Sequence, residues 1–111
     1  MIITRASRPR PRQKPGVMNK LEKSYSGLLE HQKLAGEIVS WKFEALKFRL
    51  AKKTFYTPDF LVVADQIEIH EVKGHWEDDA RVKIKVAAEM FPEFQFIAVQ
   101  KNKQIWEWEY F

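Results

Sequence analysis

Cysteine is absent from the 111-residue chain. Disulfides and thiolate metal sites are therefore excluded, and a reducing, cytoplasmic setting is the expectation. No run of about 18 uncharged apolar residues occurs, so no helical membrane span is expected. The opening MIITRASRPRPRQKPG lacks the apolar core of a secretory signal, and its three prolines disfavour the amphipathic helix of a transit peptide. Glycine is scarce, with four residues, and none belongs to a phosphate-cradling loop, which argues against ATP hydrolysis. No HExxH or similar zinc spacing is present, and His31, His70 and His75 stand apart from one another. Acid is also missing from one end: no Asp or Glu precedes Glu22.

What fills that end is base. Arg5, Arg8, Arg10, Arg12, Lys14 and Lys20 all lie before Glu22, so six of the 19 bases leave 13 against 15 acids and the remainder is slightly acidic, although the whole chain is +4. Pro9, Pro11 and Pro15 disfavour helix and strand interiors, so residues 1–18 read as a flexible basic arm. Such an arm suits phosphate backbones, where charge matters more than geometry; the alternative is a solubilising tail. Residues 19–111, with the chain 45% hydrophobic and 14% aromatic, are enough for one folded domain.

Leu21, Tyr25, Leu28 and Leu29 follow a 3.6-residue period, with Asn19 as N-cap and Gly36 as a stop. Residues 37–56 alternate around Trp41 and Phe43 and again around Leu46, Phe48 and Leu50, as a strand or a bent pair of strands. TPDFLVV and IEIHEVK read as an antiparallel hairpin joined through Ala64, Asp65 and Gln66. DDARVKIKVAAEMF is a second helix with an apolar stripe of Ile84, Ala87, Ala88 and Phe91, ended by Pro92. FQFIAV is a buried strand and KNKQ a turn. IWEWEYF is a last strand with Trp106, Trp108 and Tyr110 on one face, either a dimer contact or an edge packed on its own core. The expected fold is α/β, a mixed sheet flanked by helices.

Charged residues inside these strands carry the chemical reading. Residues two apart on a strand share a face, so Glu71 and Lys73 point together, opposite His70 and Val72. In the hairpin, Asp59 falls opposite them. Two carboxylates offer hard oxygens for Mg²⁺ or Mn²⁺, and an ammonium beside them is suited to positioning water or stabilising charge on a phosphate. A solvated strand face is the plainer alternative. Arg81, Lys83 and Lys85 on the second helix are candidates for phosphate contacts, with the same plain alternative.

Pro58-Asp59, eleven residues, then Glu71-Val72-Lys73 resembles the PD-(D/E)xK nuclease superfamily, whose core runs α-β-β-β-α-β. YTPDFLVV, EVKG, HWEDDAR and NKLEKSYSGLLE are more closely similar to segments of the bacteriophage endonuclease I family of Holliday-junction-resolving enzymes, and the chain also resembles small phage nucleases. The resemblance covers residues 19–99 and implies site roles one at a time. Asp59 and Glu71 would bind the metal, the Val72 carbonyl would add a ligand, Lys73 would be the catalytic lysine, and Glu22 would complete the metal site. Glu22 also has capping-box spacing from Asn19, and Glu30 is the alternative helix carboxylate. The resemblance further implies an Mg²⁺-dependent endodeoxyribonuclease acting on branched DNA in recombination, and a homodimer. After Val99 the chain departs from the family, so its later DNA-contacting segments do not carry over. A non-catalytic DNA-binding accessory protein with the same fold is the competing expectation.

Overall fold

A computed structural model describes residues 16–111. The arm cations Arg5, Arg8, Arg10, Arg12 and Lys14 lie outside the described residues. The elements are α1 (Lys20–Leu34), β1 (Ser40–Phe43), β2 (Phe48–Ala51), β3 (Thr54–Tyr56), β4 (Phe60–Val63), β5 (Ile67–Lys73), α2 (Asp78–Met90), β6 (Gln95–Asn102) and β7 (Ile105–Tyr110). Five strands form one mixed sheet in the order β1-β4-β5-β6-β7, and β2-β3 forms a separate hairpin. Among the described residues the only parallel pair is β5 with β6, and α2 is the crossover that joins them.

β5 sits at the centre of the sheet, covered on both faces. On one face α1 lays Tyr25 and Leu29 over Phe60, Val62, Val72, Ile97 and Val99. On the other, α2 brings Ile84 and Ala87, and the hairpin brings Phe48 and Tyr56, onto Ile69, Phe96 and Ala98. Phe48 anchors the hairpin within an aromatic cluster, its ring 4.7 Å from Phe91 and 5.5 Å from Phe96. α1 begins with the capping box, Asn19 Oδ1 accepting from the Glu22 N–H and Glu22 Oε1 from the Asn19 N–H. The folded part reaches back past Asn19 into the expected arm: Met18 packs on the core and the Gly16 N–H donates to Glu44 at 2.8 Å.

A buried polar chain fastens α1, β5 and β7 together. Trp108 Nε1 donates to the Tyr25 hydroxyl at 2.9 Å, and the same hydroxyl lies 2.6 Å from His70 Nδ1. His70 Nε2 faces Glu68 at 2.8 Å. Indole can only donate, so the phenol has its one proton free for Nδ1, which places the imidazole proton on Nε2, donating to Glu68. Burial pushes the Tyr25 phenol up, keeping it a neutral donor. On β7, Trp106 packs against the core, while Tyr110 is exposed. The aromatic strand is thus an edge strand that packs on the core through Trp106 and leaves Ile105, Trp108 and Tyr110 exposed.

The expected strand or bent strand pair of residues 37–56 is three strands, because the chain reverses at Lys52–Lys53 and frees β2-β3 from the sheet. The KNKQ turn narrows to Lys103 and Gln104, both with positive φ, 51° and 69°. Two such residues make the tight turn whose twist matches a hairpin, and Asn-Gly is its preferred pair. Left-handed backbone costs ordinary residues of order 1 kcal/mol each. Lys103→Asn with Gln104→Gly is expected to stabilise the fold by about 1 kcal/mol in chemical denaturation.

Candidate active site

The β4–β5 ladder pairs Phe60 with His70 and stops there, while β5 continues against β6 as far as Lys73. Beyond the stop, the side of β5 facing β4 loses its backbone partner. Side chains replace it. Asp59 Oδ2 accepts the Val72 N–H at 2.8 Å, and Glu71 Oε1 accepts the Asp59 N–H at 3.2 Å. The Glu44 N–H closes on the Asp59 carbonyl at 2.8 Å, fixing the backbone from the β1 side. Orphan buried amides are costly, and this crossed pair of bonds removes two of them.

The sequence-derived candidates converge. Asp59 and Glu71 are both only 8% exposed, and Lys73 is partly exposed with Nζ 3.6 Å from Glu71 Oε2. Val72 enters through its N–H bond to Asp59. The Glu22 carboxylate completes the capping box, and its charge adds to the raised pKa of Asp59. Glu30 is elsewhere, accepting from the Trp41 indole at 2.9 Å. The three helix cations part company. Arg81 is paired with Glu109 through two bonds of 2.6 Å; Lys83 borders the cleft, its ammonium 5.9 Å from the Tyr56 ring; Lys85 lies along a separate groove with Val82 and Met90.

Sequence reasoning missed Tyr56. Its buried hydroxyl donates to Glu71 Oε1 at 3.0 Å, so that oxygen has two donors and Oε2 is left facing Lys73. The only signal was Tyr56 in the YTPDF run, which reads as strand packing. The cleft beside it, about 540 Å³, is lined by Tyr56, Thr57, Glu71, Lys73, His75, Trp76 and Lys83 with the acidic start of α2. Asp59 does not border this cleft; it lies behind Glu71.

Burial raises the pKa of Asp59 above the usual carboxylate range, with the Glu71 charge adding to it, the Val72 N–H opposing it and Glu22 adding further. Glu71 is raised by burial too, opposed by the Lys73 ammonium, the Tyr56 hydroxyl and the Asp59 N–H. Two desolvated carboxyls on neighbouring backbone positions, linked through the Asp59 N–H, favour protonation or a bound cation. Their hard oxygens suit a divalent cation. Among the described residues no three His, Cys, Asp or Glu side chains are already gathered as a metal cage, so the fit is that of a two-carboxylate site. No protein-family model, curated protein or solved structure matches the chain.

A raised carboxyl pKa contributes stability fully below the unfolded value, near 4, and loses it as pH climbs through the folded value. Without metal, the wild type should therefore lose stability relative to Asp59→Asn from about pH 4 upward, by at most about 1.4 kcal/mol per pH unit. Asn keeps an oxygen for the Val72 N–H, so the variant should be the more stable protein at about pH 8. Denaturant titrations in EDTA across this range check it.

Proposed function

We propose that the protein is a metal-dependent endodeoxyribonuclease of the PD-(D/E)xK type that hydrolyses phosphodiester bonds in branched DNA, as a homodimer of Holliday-junction-resolvase character encoded by a phage and working in the host cytoplasm. The observation that carries this reading is the buried Asp59–Glu71 contact at a ladder end, with the Lys73 ammonium 3.6 Å from the one Glu71 oxygen that neither Tyr56 nor Asp59 occupies. Two desolvated carboxyls of raised pKa beside a lysine at the wall of a cleft are the kind of group that clusters at functional sites. Among the described residues no helix is long and apolar enough to cross a membrane.

Asp59 and Glu71 would hold an Mg²⁺ or Mn²⁺ ion, helped by the Val72 carbonyl and Glu22. When bound, such an ion supplies a lowered water pKa and charge neutralisation at the phosphate. Tyr56 keeps Glu71 in one rotamer with Oε2 toward the cleft. Lys73, partly exposed at the cleft floor, is placed to orient the attacking water and to balance negative charge building on the phosphate. Lys83 gives the opposite wall a cation. Twofold incision of a junction needs two such sites, which is the role of the dimer.

Purified protein incubated with a plasmid, a linear duplex and a synthetic four-way junction should cut in Mg²⁺ or Mn²⁺ and not in EDTA, with the junction preferred. Lys73→Ala should lower the rate by about 10²- to 10⁴-fold while retaining junction binding. Asp59→Ala with wild-type activity would refute the site. Junction binding with no cleavage under any metal would favour the accessory-protein reading. Sedimentation should give twice the chain mass of 13.2 kDa.

A further inference from the structure

The β2–β3 hairpin carries Lys47, Arg49, Lys52 and Lys53, and no acid lies between Glu44 and Asp59. This is a sharp local reversal, since the chain after Lys20 is otherwise slightly acidic. All four cations are exposed, and among the described residues none forms an ion pair with a carboxylate. Arg81 and Lys73 are paired with Glu109 and Glu71, whereas the hairpin gathers four such unpaired cations on one short element with no acid among them.

Alternation sorts the hairpin into two faces. Phe48 and Tyr56 point inward and are buried. Lys47 and Arg49 therefore point outward, about 7 Å apart along the strand, with Phe55 directly across from Arg49. The Lys47 ammonium rests 4.7 Å over the Phe55 ring, which holds it on this face. Lys52 and Lys53 form the tip, Lys53 with φ 56°. The inner face of the same strand reaches the cleft: Tyr56 bonds Glu71, and Thr57 lines the wall. One element thus presents cations outside and a site contact inside.

We propose that the β2–β3 hairpin is a nucleic-acid-binding element whose four cations contact backbone phosphates of the DNA flanking the cleft. The assignment rests on the nuclease reading for its placement beside a scissile phosphate, but its chemistry is independent of catalysis. A row of exposed cations is what a polyanion recognises without sequence preference. A lipid surface would need an apolar face to insert, and Leu46 and Leu50 are turned into the core, with Phe55 lying under Lys47. A protein interface would be rich in apolar anchors and poor in lysine, the reverse of this face.

The test is binding of the full chain to a short labelled duplex in EDTA, measured by fluorescence anisotropy over a salt series. The comparison is between wild type, the combined Lys47→Gln, Arg49→Gln, Lys52→Gln and Lys53→Gln variant, and Lys33→Gln. The hairpin variant should lower the slope of log K against log salt by about 3 to 4, from about 0.9 per phosphate contact. Lys33→Gln, at an exposed cation in the last turn of α1, should leave the slope unchanged. Lys52→Glu with Lys53→Glu, confined to the exposed tip, should lower it as well and guards against misfolding of the larger variant. An unchanged slope in both hairpin variants overturns the assignment. So does loss of binding to phosphatidylserine vesicles with DNA binding intact. If no metal elicits cleavage but the slope falls, the nuclease reading fails and the hairpin assignment stands; metal-dependent cleavage with an unchanged slope sinks the assignment alone.

Discussion

The contact between Asp59 and the end of the β4–β5 ladder organises the molecule. β5 must stay extended to reach Lys73 because β6 pairs with it that far, yet β4 pairs only to Phe60. The unpaired Val72 and Asp59 amides would be buried without partners, and the two carboxylates accept them. Those same hydrogen bonds draw two acids together in a poorly solvated place, which raises both pKa values. Satisfying the backbone and creating an electrostatically strained pair are one event. The arrangement costs stability at neutral pH, as sites shaped for function commonly do.

Around that pair the fold is divided by face. The α1 face is a dry aromatic core tied by the Trp108–Tyr25–His70–Glu68 chain, and its histidine is turned away from the site. The α2 face carries Glu71, Lys73 and the cleft, closed on one side by the hairpin. Tyr56 is where the hairpin meets the site. Its hydroxyl makes the orientation of Glu71 depend on an element outside the central sheet.

Legibility followed range. Glu71 and Lys73 were readable because strand alternation is local, and Asp59 because the three-residue link Ala64–Gln66 limits how the two strands can pair. The helix phase placed Tyr25 and Leu29 inward, but it could not reveal which end of the sheet Glu22 meets; capping and proximity to Asp59 proved compatible rather than exclusive. The separate hairpin was hidden because its reversal at Lys52–Lys53 uses no glycine, asparagine or proline, leaving the segment to read as continuous strand. With it were hidden Tyr56 and the outward row of cations. The Arg81–Glu109 pair joins residues 28 apart across two elements, a distance no periodicity reports.

The central claim is that Asp59 and Glu71 form a cation site rather than a structural pair. Isothermal titration of Mn²⁺ into the protein, repeated in buffers of different ionisation enthalpy, tests it most directly. Specific binding with proton release is expected, because burial raises the pKa of both carboxyls, and Glu71→Gln should abolish it. Binding of the same strength in Glu71→Gln, or no binding in wild type, would contradict the account.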